Sequence, residues 1–189
     1  MNTPTHMLAA AAVLSRPDRP WRDAAVLAGG LLPDISIFVL FFWARAQGIP
    51  QSDIWRKLYW QEPWQSLSAV SNSFPIWALL LVLAAMAGSR LVMVLAGAIL
   101  VHLTLDFPVH ADDAHKHFWP LTDWRFHSPL SYWDANHHGR FVALGELVLC
   151  TGCCAVLWFR FSDWWVRGLL LGALFSLGLV PLFFWLTLG

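Results

Sequence analysis

Apolar runs long enough to cross a lipid bilayer constrain this chain more than anything else in it. A bilayer core about 30 Å thick takes about 20 residues of helix, with a range of roughly 17–25. The stretches 23–46, 74–88 (continuing toward Arg90), 91–107, 141–159 and 165–187 answer to that length; the second is short and the last is the cleanest. A further run, 4–14, is shorter, and crosses only with help from its neighbours or lies partly re-entrant. The expectation is an all-α polytopic membrane protein with five to six transmembrane helices, forming a single domain over residues 1–189. Composition agrees, with 13% charged residues against about 25% in soluble domains. A formal net charge of zero gives no reason to expect nucleic acid.

Pro33 and Pro181 fall inside two of the spans, where each removes a backbone donor and bends its helix. Ser89-Arg90 marks the turn of a helical hairpin. The stretch "QSDIWRKLYWQEPWQSLS" places Ile54, Trp55, Leu58 and Tyr59 at helical spacing, with Trp60 and Trp64 adding aromatic weight. It reads as an amphipathic helix in the membrane interface, close in kind to an ordinary aromatic belt. Cys150, Cys153 and Cys154 lie in one apolar run with no second Cys-x-x-Cys pair, which makes them small packing residues. The basic residues Arg16, Arg19 and Arg22 follow the first apolar run instead of preceding it, so that run reads as a retained segment and not a signal peptide.

Set against this background, "HLTLDFPVH" holds three ionisable side chains, His102, Asp106 and His110, at the end of a span. If every run crosses once, His6, Asn72, His102, Asp106 and the histidine-rich stretch from Pro108 to Arg140 fall at one face. Asp34 then lies midway along its span beside Pro33, and Glu146 lies two turns into its own span on the same side. Ionisable groups at membrane depth cost several kcal/mol and are usually paired and functional. His102 and Asp106 are one helical turn apart and project together, whereas Pro108 leaves the direction of His110 open. Imidazole nitrogen with carboxylate oxygen suits zinc or another divalent first-row ion, and three protein ligands with an open position activate water.

The candidate metal ligands are therefore His6, Asp34, His102, Asp106, His110 and His138, with Asp34 either a ligand or the partner that orients a histidine. Glu146 is the candidate catalytic residue, as a general base or as support for a ligand. His115, His117, His127, Asp112 and Asp113 read as solvated loop residues. Two rival readings remain: a hydrogen-bonded structural His–Asp pair without catalysis, and an ion or proton relay. Short connections carrying Arg16, Arg19, Arg22, Arg90, Arg160 and Arg167 belong in the cytoplasm by the positive-inside rule, which makes the site face periplasmic.

The segments "PTHMLAAAAVL", "GGLLPDISIF" and "GAILVHLTLDFPVH…HFWPL", in this order and spacing, resemble the YdjM-like family of inner-membrane proteins, described as membrane-bound metal-dependent hydrolases. His6, Pro33-Asp34, His102, Asp106 and Trp119-Pro120 carry the match. The resemblance implies a multi-pass protein of the bacterial inner membrane that binds a divalent metal such as zinc. Two positions depart from the pattern: Ser36 stands where a second Asp is expected, and "SNSFPIW", with Asn72, replaces a His-Arg-x-x-Thr-His segment. Either His110, His137 or His138 then compensates, or the metal chemistry is lost in this branch. Over one helix, "HLTLDFPVH" is also similar to the zinc-dependent phospholipase C family, which hints at a lipid-borne ester or phosphoester as substrate.

Overall fold

The computed structural model describes residues 1–187, which form helices, turns and loops with no strand among them. The α-helices are α1 (Thr3–Leu14), α2 (Pro20–Leu31), α3 (Ile35–Ala46), α4 (Gln51–Asp53), α5 (Trp64–Ser71), α6 (Phe74–Met86), α7 (Arg90–Asp106), α8 (Gly139–Arg160) and α9 (Trp164–Thr187). Four segments are long and apolar enough to cross a membrane: Pro20–Ala46, Arg90–Val109, Gly139–Arg160 and Trp164–Phe183. A fifth arises when α5 and α6, which meet at 47°, count as one broken span. The chain is an all-helical polytopic membrane protein, as the apolar runs lead one to expect.

The shortest apolar helix is the hub. α1 has 12 residues and is about 18 Å long at 1.5 Å per residue, well short of a bilayer core. It nevertheless packs on α2, α7 and α8. Pro4 in its first turn gives up a donor the helix does not need, and Ala9, Ala10 and Ala11 are buried, keeping its neighbours close. α2 answers with Gly29 and Gly30. A Cβ at Gly29 would stand 2.6 Å from Ala98 Cβ and 2.7 Å from the Leu95 carbonyl, and one at Gly30 would stand 2.8 Å from Met7 Cα. None of these atoms is the end of a flexible side chain. Gly29→Ala is therefore expected to destabilise the fold by about 1–3 kcal/mol, the usual cost of overpacking, seen as a lower thermal midpoint in detergent. Gly145→Ala, whose Cβ meets nothing within 4 Å, is the matched control and should not fall.

Breaks in the helices sit where the sequence demands them. Pro33 lies in a 3-10 turn, Leu32–Asp34, between α2 and α3, so Asp34 is presented at a bend within one span. Between α5 and α6, the Ser73 hydroxyl caps α6 by accepting the Ile76 N–H at 3.2 Å, and a proline follows in the first turn. Gly88, at φ +68°, makes the α6–α7 turn. The stretch expected to be one amphipathic helix is instead α4, a π-turn at Ile54–Leu58, and α5 after Pro63. Its apolar face packs on the chain itself, with Ile54 and Tyr59 buried against Leu40 and Ala44 of α3.

Two sets of long-range contacts fix the ends of the bundle. Arg160, at the end of α8, donates to the carbonyls of Ala11 and Ser15 at 3.2 and 3.0 Å, and Arg22 donates to that of Leu14. At the other end, the Met1 ammonium lies 2.5 Å from Asp106, and Asn2 N–H donates to Glu146 at 2.8 Å. The α1–α2 and α8–α9 connections thus share one end, and the ionisable residues share the opposite one. α9 packs on α8; Phe159 and Phe175 are 89% and 73% exposed, a surface suited to lipid. The three cysteines are free and buried, with Cys150 beside Thr5 and Cys154 donating to the Leu170 carbonyl.

Candidate metal centre

Four parts of the chain deliver the site. α1 supplies His6, the bend after α2 supplies Asp34, the last turns of α7 supply His102 and Asp106, and the loop beyond Pro108 supplies His110, His115 and His117. Asp106 is the meeting point. Its Oδ1 lies 2.9 Å from His6 Nε2 and 3.2 Å from His110 Nε2, and its Oδ2 lies 3.4 Å from His102 Nε2. His102 Nε2 is also 3.5 Å from Asp34 Oδ1. The His6 and His102 rings stack with centroids 3.6 Å apart. His6 and His102 are fully buried, and Asp106 is 2% exposed.

The imidazoles of His6, His102 and His110 all face the one carboxylate of Asp106. His102 donates its Nδ1–H to the Gly30 carbonyl at 2.8 Å, because a carbonyl only accepts. In its neutral form His102 turns a lone pair on Nε2 toward two carboxylates, an arrangement that a cation between them would satisfy. Nδ1 of His6 and Nε2 of His117 are buried without a hydrogen-bond partner, and His6 Nε2, His102 Nε2 and both nitrogens of His110 face only the carboxylates of Asp34, Asp106 and Asp113. Buried imidazole nitrogens left in this way are costly, and a divalent ion satisfies them. Ligand-type atoms of His6, Asp34 and His102 lie within 4.8 Å of one another, as do those of Asp106, His110 and His115. The residues present could hold a metal ion, with nitrogen and oxygen donors in buried positions.

The support around these groups is specific. Thr3 donates its hydroxyl to Asp34 Oδ2 at 2.5 Å. Asp113 Oδ2 lies 3.0 Å from His110 Nδ1 and accepts the Trp133 indole N–H, also at 3.0 Å. His117 donates Nδ1–H to the Asn72 carbonyl at 2.9 Å, and His115 Nδ1 lies 3.1 Å from the Ser68 hydroxyl. Burial pushes His115 well below the usual imidazole value and His117 down to about 4, so both are neutral donors at pH 7. At His110, burial opposes the charge, but Asp106 and Asp113 outweigh it and bring the group up to about 9.

Two sequence expectations change, and that for Glu146 narrows to support of a ligand-bearing helix. His115 and His117 are 3% exposed and belong to the buried cluster, not to solvent, and Asp113 is an orienting partner, not a free loop charge. The signal for this was aromatic content: Phe107, Phe118 and Phe126 pack together and fold the loop down over the bundle. His138 is not brought to the cluster; it is exposed, at φ +61°, where α8 begins. Glu146 is buried but occupied by α1, accepting from Asn2 N–H at 2.8 Å, Asn2 Nδ2 at 2.9 Å and the Thr5 hydroxyl. It anchors the helix that carries His6 and makes no hydrogen bond to the cluster.

A third His/Asp group, Asp112, Asp134 and His137, is exposed or half-buried and has a local explanation. Asp134 caps the following turn through Asn136 N–H and pairs with His137 Nδ1 at 2.7 Å. The bond to Asp134 raises the His137 value, and the bond to His137 lowers that of Asp134. Stability from the raised imidazole is complete below its ordinary value near 6.5 and is lost as pH climbs through the raised one. That from the lowered carboxylate is present above its ordinary value and is lost as pH drops through the lowered one. An NMR titration should show a His137 midpoint above the ordinary value, falling back in Asp134→Asn.

A cavity of about 860 Å³ reaches His110 and His115 and is walled by Trp55, Tyr59, Trp60 and Trp133. Arg56 lines it too, and Arg125 stacks over Trp60 with 5.8 Å from its guanidinium carbon to the ring centre. In comparisons with known proteins, no family model, curated protein or solved structure matches this chain.

Proposed function

We propose that the protein is a membrane-bound metal-dependent hydrolase that acts on a lipid-borne ester or phosphoester. The observation that carries the reading is a buried His/Asp cluster with orphaned imidazole nitrogens, lying against an aromatic-walled cavity. His6, Asp34, His102, Asp106, His110 and His115 would hold the ion; zinc matches their donors best. A bound divalent ion supplies Lewis acidity, which acidifies water and polarises an ester or phosphoryl oxygen. The chain's own residues do the rest. Gly30 and Asp113 orient imidazoles, Glu146 and Thr5 hold α1 in place, and the aromatic loop keeps water from the cluster's inner side.

Tryptophan and tyrosine around a cavity mouth suit an amphiphile at the headgroup level of a bilayer. Arg56 supplies a cation for an anionic headgroup. This fits the hydrolase character that the YdjM-like resemblance implies, with the loop histidine His117 standing against Asn72, where that pattern expects a histidine. We further propose a bacterial inner membrane, with the arginine-bearing connections in the cytoplasm and the site facing the periplasm.

The test is protein purified in detergent, stripped by chelation and reloaded with zinc, assayed on a chromogenic phosphodiester and on mixed phospholipid vesicles. Hydrolysis that needs the ion and disappears in His102→Ala is expected. Protein that takes up zinc yet leaves every ester intact, while Asp106 supports ion flux into proteoliposomes, would overturn the reading in favour of translocation.

A further inference from the structure

We infer that the cluster holds two metal ions, not one, with Asp106 as the carboxylate that bridges them. The inference rests on the cluster being a metal centre, but not on the reaction assigned to it. Its starting point is a count of donors. Six side chains, His6, Asp34, His102, Asp106, His110 and His115, offer ligand atoms in two buried groups, each within 4.8 Å. A zinc-type ion takes four ligands, or three when one position stays open for chemistry. One four-coordinate ion cannot satisfy six donors held in two separate groups, and leaving some without a partner inside the protein costs the desolvation penalty of each.

The geometry divides the donors about Asp106. On one side lie the stacked rings of His6 and His102 with Asp34 beyond them; on the other lie His110 and His115, with ring centroids 4.7 Å apart. Asp106 serves both sides: Oδ2 faces His102, and Oδ1 lies between His6 at 2.9 Å and His110 at 3.2 Å, with the Met1 ammonium at 2.5 Å as the cation that bound ions would displace. A carboxylate with donors at both oxygens is what a bridge between two ions requires, and such ions sit about 3.5–4 Å apart. The second group would gain a further donor from His117, whose Nε2 is buried without a partner and whose ring lies 5.7 Å from that of His115. Only the second group borders the cavity, through His110 and His115. The two ions would therefore differ in access to that cavity: the one near the loop borders it and the one near α1 does not.

The full chain, chelated and then reloaded with Mn²⁺ or Zn²⁺, is assayed for bound metal by mass spectrometry. Two ions per chain are expected in the wild type, and one in each of His115→Ala and Asp34→Asn. Mn²⁺-loaded wild type should give the exchange-coupled electron paramagnetic resonance spectrum of a bridged pair, which needs no variant and so survives any folding defect. Dilute chelator should remove the loop-side ion first. One ion in the wild type, with an uncoupled spectrum, overturns the bridged pair and leaves a single-ion hydrolase standing. No ion at all removes both this inference and the metal centre beneath it.

Discussion

Asp106→Asn is expected to strip the protein of its metal and of any hydrolytic activity. Loss of a partner that merely orients a ligand costs 10–100-fold in metal affinity in well-studied sites. Asp106 is closer in than that, within 3.4 Å of three imidazoles, so a fall of at least about 100-fold is the floor. The amide keeps the shape but not the charge, and its NH₂ would turn a donor toward ions or toward imidazole nitrogens. Because one carboxylate serves both groups of donors, both should empty together, unlike the separate losses expected for His115 and Asp34. Isothermal titration of chelated protein with zinc measures the effect. Zinc affinity within threefold of wild type would mean that the cluster is a hydrogen-bonded structural feature.

Glu146→Ala should be the second large effect, and it separates anchoring from chemistry. The carboxylate accepts three hydrogen bonds from the first residues of the chain and is 4% exposed. Hydrogen bonds to a charged acceptor contribute about 1.5–3 kcal/mol each and are not additive, so a loss of about 2–4 kcal/mol follows. Thermal unfolding in detergent reads it. Zinc affinity should fall by about 10–100-fold, because α1 would no longer hold His6 against Asp106. Glu146→Gln keeps two of the acceptor roles and should retain most of both. Were Glu146 a general base, Glu146→Gln would instead abolish turnover with metal binding unchanged.

The architecture was legible because hydropathy reports lipid contact directly. Spans at 23–46, 91–107 and 141–159 correspond to Pro20–Ala46, Arg90–Val109 and Gly139–Arg160. The shared end of His6, His102 and Asp106 is what counting crossings leads one to expect, whereas Asp34, midway along its span by that count, reaches them through the bend at Pro33. What the sequence hid was direction. His110, past Pro108, swings back to Asp106, and only packing of the loop decides that. His115 and His117 looked like surface residues because histidine, lysine and aspartate surround them; the aromatic residues that bury them act from both sides of the segment. His138 sits beside α8 in sequence, but its left-handed backbone places it at the helix start, turned outward. The amphipathic stretch showed its apolar spacing correctly and hid its breaks, because Pro63 and the π-turn at Ile54–Leu58 interrupt a helix whose period is otherwise regular.

The central position of α1 bears on how the molecule is made. Met1 meets Asp106 across 105 positions, and Thr5 meets Glu146 across 141. A helix this short has little hold on a bilayer by itself; α2 follows it directly, but α7 and α8 emerge from the ribosome only later. α1 can pair with α2 early, but Glu146 of α8 reaches Asn2 and Thr5 only late, so the His/Asp cluster is completed as one of the last acts of assembly. Zinc uptake by a nascent or truncated chain would thus mark the moment at which biogenesis is finished.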